Sequence, residues 1–202
     1  MDIIDTAVIV SVDYAEKLSI TLPINRRHFG RVLVVTKVQD NLTPRVATQN
    51  RAEVYVIDAH YTDSAAFQKW RAVEEGLDWI GRTGLVCLMD ADIVWPRVTP
   101  DIVLQTGILY GPRCRITDYA RSQPEDRWSK LPLHPCYSKW PQYICNGVMI
   151  FHADDSSLGR PPWFDAIKSP SDCGRQFQQH WHVSRRVQLP FNVLHLGRSY
   201  NP

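Results

Sequence analysis

Runs of mostly apolar residues, rich in β-branched side chains, predict four strands in the first half of this chain. They span residues 6–12, 32–36, 52–58 and 85–89. The last run holds five apolar residues between Gly84 and Asp90, so we expect it to be buried on both faces. Strands of that kind belong to parallel or mixed sheets that helices cover on each side. The pattern therefore predicts an α/β fold.

Helical periodicity is clearest between the third and fourth predicted strands, where apolar residues recur at spacings of three and four. This stripe comprises Phe67, Trp70, Val73, Leu77 and Ile80. Asp63-Ser64 supplies a cap for a helix expected over residues 65–80, and Gly81 follows it. Weaker signals predict helices at residues 15–25 and 174–184, and a short one within 41–50. Strands that alternate with such crossovers are typical of a doubly wound, mostly parallel sheet flanked by helices.

The pattern changes after Pro96, where prolines become frequent and residues 111–140 show no helical period. A connector of this length in a compact domain is typically an ordered loop that binds a ligand, and we predict one here. Residues 143–151 form a strand-like run that Asn146-Gly147 interrupts. A glycine at such a point marks a bulge or a close approach of the backbone to a ligand.

The composition, with 44% hydrophobic and 22% charged residues, is that of a globular protein and argues against disorder. A length of 202 residues makes one domain the default. No apolar run reaches the length of a membrane span, and the first five residues are acidic rather than basic, so we expect a cytoplasmic location. Five cysteines without a Cys-x-x-Cys spacing predict buried free thiols.

The net charge of +2 is unevenly distributed. Residues 1–95 hold 10 Lys and Arg against 13 Asp and Glu, whereas residues 96–202 hold 13 against 8. A basic second half suits an anionic partner, although an excess of this size also fits an ordinary solvated surface.

Asp90-Ala91-Asp92 directly follows the fourth predicted strand. Open α/β sheets bind their ligands at the carboxyl ends of the strands. Two carboxylates this close repel each other unless a cation lies between them, and Mg²⁺ or Mn²⁺ with phosphate oxygens as further ligands meets that need. A solvated turn is the alternative, because Asp also favours turns. The apolar residues on both sides of the acidic pair favour the metal site.

The chain resembles the GT-A glycosyltransferases, the nucleotide-sugar enzymes of the Asp-x-Asp type, and within them the family-2-like members. The resemblance is carried in the expected order by residues 8–14, 67–77, 89–93, 146–147, 172–181 and 193–197. It implies a single Rossmann-like GT-A domain over residues 1–202, with a mixed, mostly parallel sheet flanked by helices. Residues 1–95 would then form the nucleotide-binding half and residues 96–202 the acceptor-binding half. The implied activity is a metal-dependent transfer of a hexose from a nucleotide-sugar donor, a UDP-sugar above others.

The resemblance also implies site residues. The implied ligands of Mn²⁺ or Mg²⁺ are Asp90, Asp92 and His195; the implied donor contacts are Ser11, Asp13, Tyr14, Lys69, Arg71, Asp90, Ala91, Asn146 and Gly147. Each has a purely structural alternative: a core histidine, a strand-end turn, or solvated cations on a helix face. In the helix predicted over residues 65–80, the chain departs from the family at Glu74, where many relatives have Asn. This departure bears on the contact that the helix is expected to make with the donor.

An inverting transfer needs a carboxylate that removes the proton of the acceptor hydroxyl. The resemblance points to Asp172 for this role, with a helix N-cap as the equally weighted alternative. Asp154, Asp155 and Asp165 are further candidates. A retaining transfer needs no such base, and the sequence does not distinguish the two courses.

The acceptor surface is expected in residues 110–143 and at Arg185-Arg186, where aromatic and basic residues are interspersed. Such a surface suits a glycan or a modified DNA base such as a 5-hydroxymethylpyrimidine. Two other functions stay open. A nucleotidyltransferase of sugar phosphates would normally have a Gly-rich loop with Arg after the first strand, which residues 12–16 do not provide. The other is a non-catalytic nucleic-acid-binding module on the same fold.

Overall fold

An eight-stranded mixed sheet organises the computed structural model. The structure describes residues 4–58, 69–117, 125–134, 144–164 and 170–197, with the side chains of residues 170–173 left out. The strands are β1 Ile4–Val10, β2 Phe29–Lys37, β3 Glu53–Ile57, β4 Leu85–Asp90, β5 Ile93–Val94, β6 Leu109–Thr117, β7 Val148–His152 and β8 Arg186–Leu196. The helices are α1 Ala15–Asn25, α2 Leu42–Gln49, α3 Lys69–Trp79 and α4 Pro170–Gln178.

The strand order is β3-β2-β1-β4-β7-β6-β8-β5. The first four strands in this order are mutually parallel, as the alternation of strands and crossovers in the sequence predicts. β7 runs antiparallel to both β4 and β6, β8 is parallel to β6, and β5 is antiparallel to β8.

Both faces of β1, β2 and β4 are buried, and alternate residues of each strand enter different cores, whereas the edge strand β3 is only partly buried. On β1, Ala7 and Ile9 pack with residues of α1 and α2, whereas Val8 and Val10 pack with residues of α3. The α3 side is especially close, because a Cβ at Gly76 would lie 2.8 Å from a methyl carbon of Val35. This burial on both faces explains the largely apolar runs of β1, β2 and β4.

Three predicted elements differ from the structure. The loop prediction was wrong for residues 111–117, which belong to β6. The helix expected near 174–184 begins at Pro170 and ends at Gln178, while a 3₁₀ turn at Val183–Arg185 leads into β8. Asn146-Gly147 forms a turn before β7 and does not interrupt the strand. The start of the helix expected over 65–80 lies outside the described residues, within which α3 begins at Lys69.

None of the helices in the described ranges has the length and apolar character needed to cross a membrane.

Candidate metal centre

The register of the sheet brings Asp90, Asp92 and His195 together. Val10 of β1 pairs with Asp90 at the end of β4, so these parallel strands end at the same level. Asp92 follows in the turn before β5, and Ile93 of β5 pairs with His195 of β8. One ligand atom from each of the three side chains lies within 4.8 Å of the other two. The Oδ2 atom of Asp92 is 3.4 Å from Nε2 of His195.

The electrostatics of this cluster favour a cation. Asp92 is 8% exposed, and burial raises the pKa of its carboxyl to about 6; His195 lowers that pKa, while the charge of Asp90 raises it. Asp90 accepts a hydrogen bond from the ammonium of Lys69, which also lies over the Trp70 ring at 4.9 Å.

The donor set fits a divalent metal ion. Two carboxylates and an imidazole are ligands that Mn²⁺ accepts, and the carboxylates also suit Mg²⁺. A cation among them would offset the cost of holding a carboxylate at Asp92 beside Asp90. Nδ1 of His195 is buried and has no hydrogen-bond partner among the described residues, so Nε2, which faces Asp92, is the ring atom directed at the cluster.

The predicted donor residues at the end of β1 lie at the same edge of the sheet. Ser11 follows Val10, its N–H donates to Val35 (2.9 Å), and its buried Oγ has no partner within the described residues. Asp13 has a positive φ of 55°, and its N–H donates to Oδ2 of Asp40 at 2.7 Å. Asp13 also pairs with Lys37, while the half-exposed Tyr14 precedes α1.

Asn146 and Gly147 lie directly beside Asp90. The backbone carbonyl of Gly147 accepts a 2.9 Å hydrogen bond from the N–H of Asp90. A Cβ at Gly147 would lie 3.4 Å from Oδ2 of Asp90, so the backbone of Gly147 runs in van der Waals range of this carboxylate. The side-chain oxygen of Asn146 accepts from Gln178 of α4 at 3.0 Å.

Two predicted residues stand apart from the cluster. Arg71 pairs with Glu75 one turn along α3 at 3.1 Å, and its side chain is about half exposed (49%). Asp172 lies in the first turn of α4, which begins at Pro170, so the N-cap alternative for it was wrong. Its side chain is outside the described residues.

Glu74 has a structural role. It is buried, its Oε1 accepts from the N–H groups of Trp163 (2.6 Å) and Phe164 (2.7 Å), and its Oε2 pairs with Arg82. These contacts hold the segment around Trp163 against α3. Asp155 also has a structural role. It caps the 3₁₀ turn Ser156–Leu158 and accepts hydrogen bonds from Gly107, Ser157 and Trp181.

Sequence reasoning missed four polar residues that hold the site in place: Thr21, Asn25, Asp40 and Gln178. Each is at most 5% exposed. For Asp40, the spacing Asp-x-x-Thr is a helix-start signal that could have indicated its contacts with Thr43. The partners of Thr21, Asn25 and Gln178 lie far away in the sequence, and no local signal identifies them.

No protein-family model matches the sequence, and neither does any curated protein. Solved structures do match. Mannosyl-3-phosphoglycerate synthase from Rubrobacter xylanophilus is 16% identical with a TM-score of 0.58, over 98% of this chain and 68% of that one. A mannosyltransferase from Pyrobaculum calidifontis, in complex with GDP-Man and Mn²⁺, is 14% identical with a TM-score of 0.59, over 98% and 58%. Glucosyl-3-phosphoglycerate synthase from Mycobacterium tuberculosis, in complex with Mn²⁺, UDP and glucosyl-3-phosphoglycerate, is 15% identical with a TM-score of 0.55, over 98% and 74%.

The chain has the GT-A fold. The predicted fold class, with its mixed sheet and flanking helices, is therefore confirmed. The chain spans 58% of the Pyrobaculum structure and 68% of the Rubrobacter structure. At such low identity the likeness establishes the GT-A fold, and the chemistry has to be argued from the cluster at Asp90, Asp92 and His195.

Proposed function

We propose that this chain is a metal-dependent glycosyltransferase of the hexosyltransferase type, which moves a sugar from a nucleotide-sugar donor to an acceptor hydroxyl. The observation that carries the proposal is the convergence of Asp90, Asp92 and His195, whose ligand atoms lie within 4.8 Å of one another at the strand ends of a GT-A fold. The Mn²⁺ and nucleotides of the Pyrobaculum and Mycobacterium structures support it.

Asp90, Asp92 and His195 would hold Mn²⁺ or Mg²⁺. When bound there, the ion would act as a Lewis acid toward the diphosphate of the donor. The residues of the chain contribute position and charge. Lys69 brings an ammonium to the same carboxylate edge, where it can meet a phosphate oxygen, and Arg71 is a second candidate for that contact. The hydroxyl of Ser11, which is buried and has no partner within the described residues, is a further candidate for a contact with the donor.

The nucleoside would lie along residues 11–14, and the donor sugar along Asn146 and Gly147. Asp40 and Lys37 hold Asp13 in place. A residue that binds a base or ribose benefits from being fixed in one orientation in this way. We propose a UDP-sugar as the donor. GDP-mannose is the second donor to test, because the Pyrobaculum structure contains GDP-Man.

For an inverting transfer, we propose Asp172 as the base that accepts the proton of the acceptor hydroxyl. Its helix reaches the site, because Gly174 packs against the amide of Asn146. The Asp172→Asn variant tests this: transfer should fall by at least about a hundredfold, the size of a general-base contribution. Metal-supported binding of UDP should stay intact. A purely structural role in the first turn of α4 would instead lower thermal stability and leave kcat unchanged.

For the acceptor, we propose a glycan or the hydroxyl of a modified DNA base, with the side of the sheet formed by β6 and β8 as its surface. Arg113 and Arg185 are exposed there and supply positive charge. A phosphorylated small acid is the third acceptor class to test, because the glucosyl-3-phosphoglycerate synthase carries one in its product.

The decisive experiment is a thermal-shift screen of UDP- and GDP-sugars with and without Mn²⁺, followed by transfer assays with the three acceptor classes. A donor that binds the native state raises its melting temperature, and Mn²⁺ should strengthen the effect. Asp92→Asn, which keeps the shape of the side chain, should abolish the Mn²⁺-dependent shift and the turnover.

Turnover that Asp92→Asn leaves unchanged would overturn the metal-dependent mechanism. Release of diphosphate from a nucleoside triphosphate and a sugar 1-phosphate would instead identify a nucleotidyltransferase. Salt-sensitive retention of DNA without any turnover would identify a binding module.

A further inference from the structure

Helix α1 carries two buried polar side chains one turn apart, Thr21 and Asn25. Each is only 1% exposed. A buried hydroxyl or amide is costly unless it is hydrogen-bonded, so the groups that these side chains contact are informative.

Both side chains bond to the backbone that carries Asp92. The hydroxyl of Thr21 donates to the carbonyl of Ala91 at 2.6 Å. The amide of Asn25 donates to the carbonyl of Ile93 at 2.6 Å and accepts from the N–H of Trp95 at 2.9 Å. From the sheet side, the N–H of Leu196 donates to the carbonyl of Asp92 at 2.8 Å. Three successive carbonyls of this turn are therefore each held by a hydrogen bond.

The geometry of β5 explains why side chains are needed. β5 has two residues, lies at the edge of the sheet and pairs there with β8. Its outer backbone groups are buried and would otherwise lack partners. The amide of Asn25 bonds the carbonyl of residue 93 and the N–H of residue 95, the two groups that a neighbouring strand would engage. The side chain of Asn25 therefore makes the two hydrogen bonds that a neighbouring strand would make.

We propose that Thr21 and Asn25 are positioning residues of the metal centre: they fix the Asp-Ala-Asp turn so that Asp92 faces Asp90 and His195. The inference rests on the proposed function, because it assumes that this cluster binds a metal ion. Supporting groups outside the ligand set commonly change metal affinity by 10–100-fold when removed.

The test measures Mn²⁺ affinity directly, by the electron paramagnetic resonance signal of free Mn²⁺ during titration of the full chain. Thr21→Val keeps the side-chain shape and removes the donor, so the Kd for Mn²⁺ should rise by about tenfold. Thr21→Ser retains a hydroxyl and should restore most of the affinity. Asn25→Asp keeps the acceptor for Trp95 but places a carboxylate against the Ile93 carbonyl, and it should weaken binding at least as much. In assays, the KM for Mn²⁺ should rise while kcat at saturating Mn²⁺ is retained.

Thr43→Val is the matched control. Thr43 is also fully buried and hydrogen-bonded, but its partner is Asp40 at the start of α2. This variant should lower thermal stability and leave the Kd for Mn²⁺ unchanged. If the wild-type chain binds Mn²⁺ and Thr21→Val binds it equally well despite a lower melting temperature, the inference is overturned and the proposed function stands. If the wild-type chain does not bind Mn²⁺, the proposed function falls and takes this inference with it.

Discussion

The ammonium of Lys69 donates a hydrogen bond to Oδ1 of Asp90, so a side chain from the start of α3 contacts one of the candidate metal ligands. Both groups are largely buried, with 16% and 28% of the side chains exposed. An ammonium and a divalent ion compete for the same carboxylate, whereas an ammonium and a phosphate attract each other. A donor diphosphate that draws Lys69 away from Asp90 would therefore favour metal binding at the same site.

Lys69→Met is expected to separate these effects. Without nucleotide, removal of the competing charge should tighten Mn²⁺ binding by up to about fivefold, the range of a partly exposed ion pair. With Mn²⁺ present, UDP should bind about tenfold more weakly, because a charge-assisted hydrogen bond to phosphate is lost. Isothermal titration of Mn²⁺ and of UDP, each with and without the other, measures both effects. Weaker Mn²⁺ binding in the absence of UDP would contradict the competition.

Arg71→Met is the companion variant on the same helix. Arg71 pairs with Glu75, whereas it is Lys69 that pairs with Asp90, so this substitution should leave the affinity for Mn²⁺ alone unchanged. If Arg71 meets the donor, as the sequence predicts, only the affinity for UDP should fall.

His195→Gln is expected to change the preference among metal ions. Replacement of an imidazole nitrogen by an amide oxygen removes the ligand that favours Mn²⁺ over the harder Mg²⁺. The affinity for Mn²⁺ should therefore fall more than the affinity for Mg²⁺, as measured by competition titrations. His134→Gln is the control, because the His134 ring packs against His195 at 5.9 Å but is not one of the three clustered ligands. Equal losses for the two ions would argue against ligation by His195.

Gly174→Ala is expected to weaken donor binding without unfolding the chain. A Cβ at position 174 would overlap the amide of Asn146, which Gln178 already holds. Alanine favours a helix by about 1 kcal/mol relative to glycine, which offsets part of the steric cost. The KM for the nucleotide sugar should rise with little change in melting temperature. If the effect acts through Asn146, Asn146→Ala should cause no further loss in the Gly174→Ala background; independent, additive losses would show another route.

Asp40→Asn is expected to lower stability in a pH-dependent way. Burial by itself raises the pKa of Asp40, but hydrogen bonds from Thr43, Asp13 and Thr36 lower it below its ordinary value overall. The carboxylate thus stabilises the fold fully above the pKa of the unfolded chain, and this contribution is lost as the pH falls through the folded value. At pH 7 the substitution should cost about 3 kcal/mol, because hydrogen bonds to a charged group are replaced.

Urea unfolding at several pH values measures this difference. It should be largest near neutrality and shrink below about pH 4. Asp126→Asn, at an exposed carboxylate, is the control and should change stability little at any pH. A stability loss for Asp40→Asn that stays constant with pH would contradict the role of the charge.

Sequence reasoning found the elements whose residue pattern is visible within a single stretch of the chain. The apolar runs of β1, β2 and β4 are visible because each strand is buried on both faces. β6 was missed because Gly111, Pro112 and Arg113 break the apolar pattern. Its pairing with β8 shifts register between Pro112 and Arg113, and Pro190-Phe191 lie unpaired opposite this shift. A bulge tolerates proline in a strand, but no pattern along the chain predicts where the bulge lies.

By itself, the sequence determined that a strand covered on both faces ends in two closely spaced aspartates and that His195 follows the short apolar run Val193-Leu194. These features depend on neighbouring residues, so a linear pattern contains them. Only the tertiary structure decided that His195 lies opposite Asp92, that Lys69 rather than Arg71 contacts Asp90, and that Thr21 and Asn25 hold the turn. Periodicity gives the face on which a side chain lies, whereas its partner there is set by strand pairing and helix packing between segments that are distant in the chain.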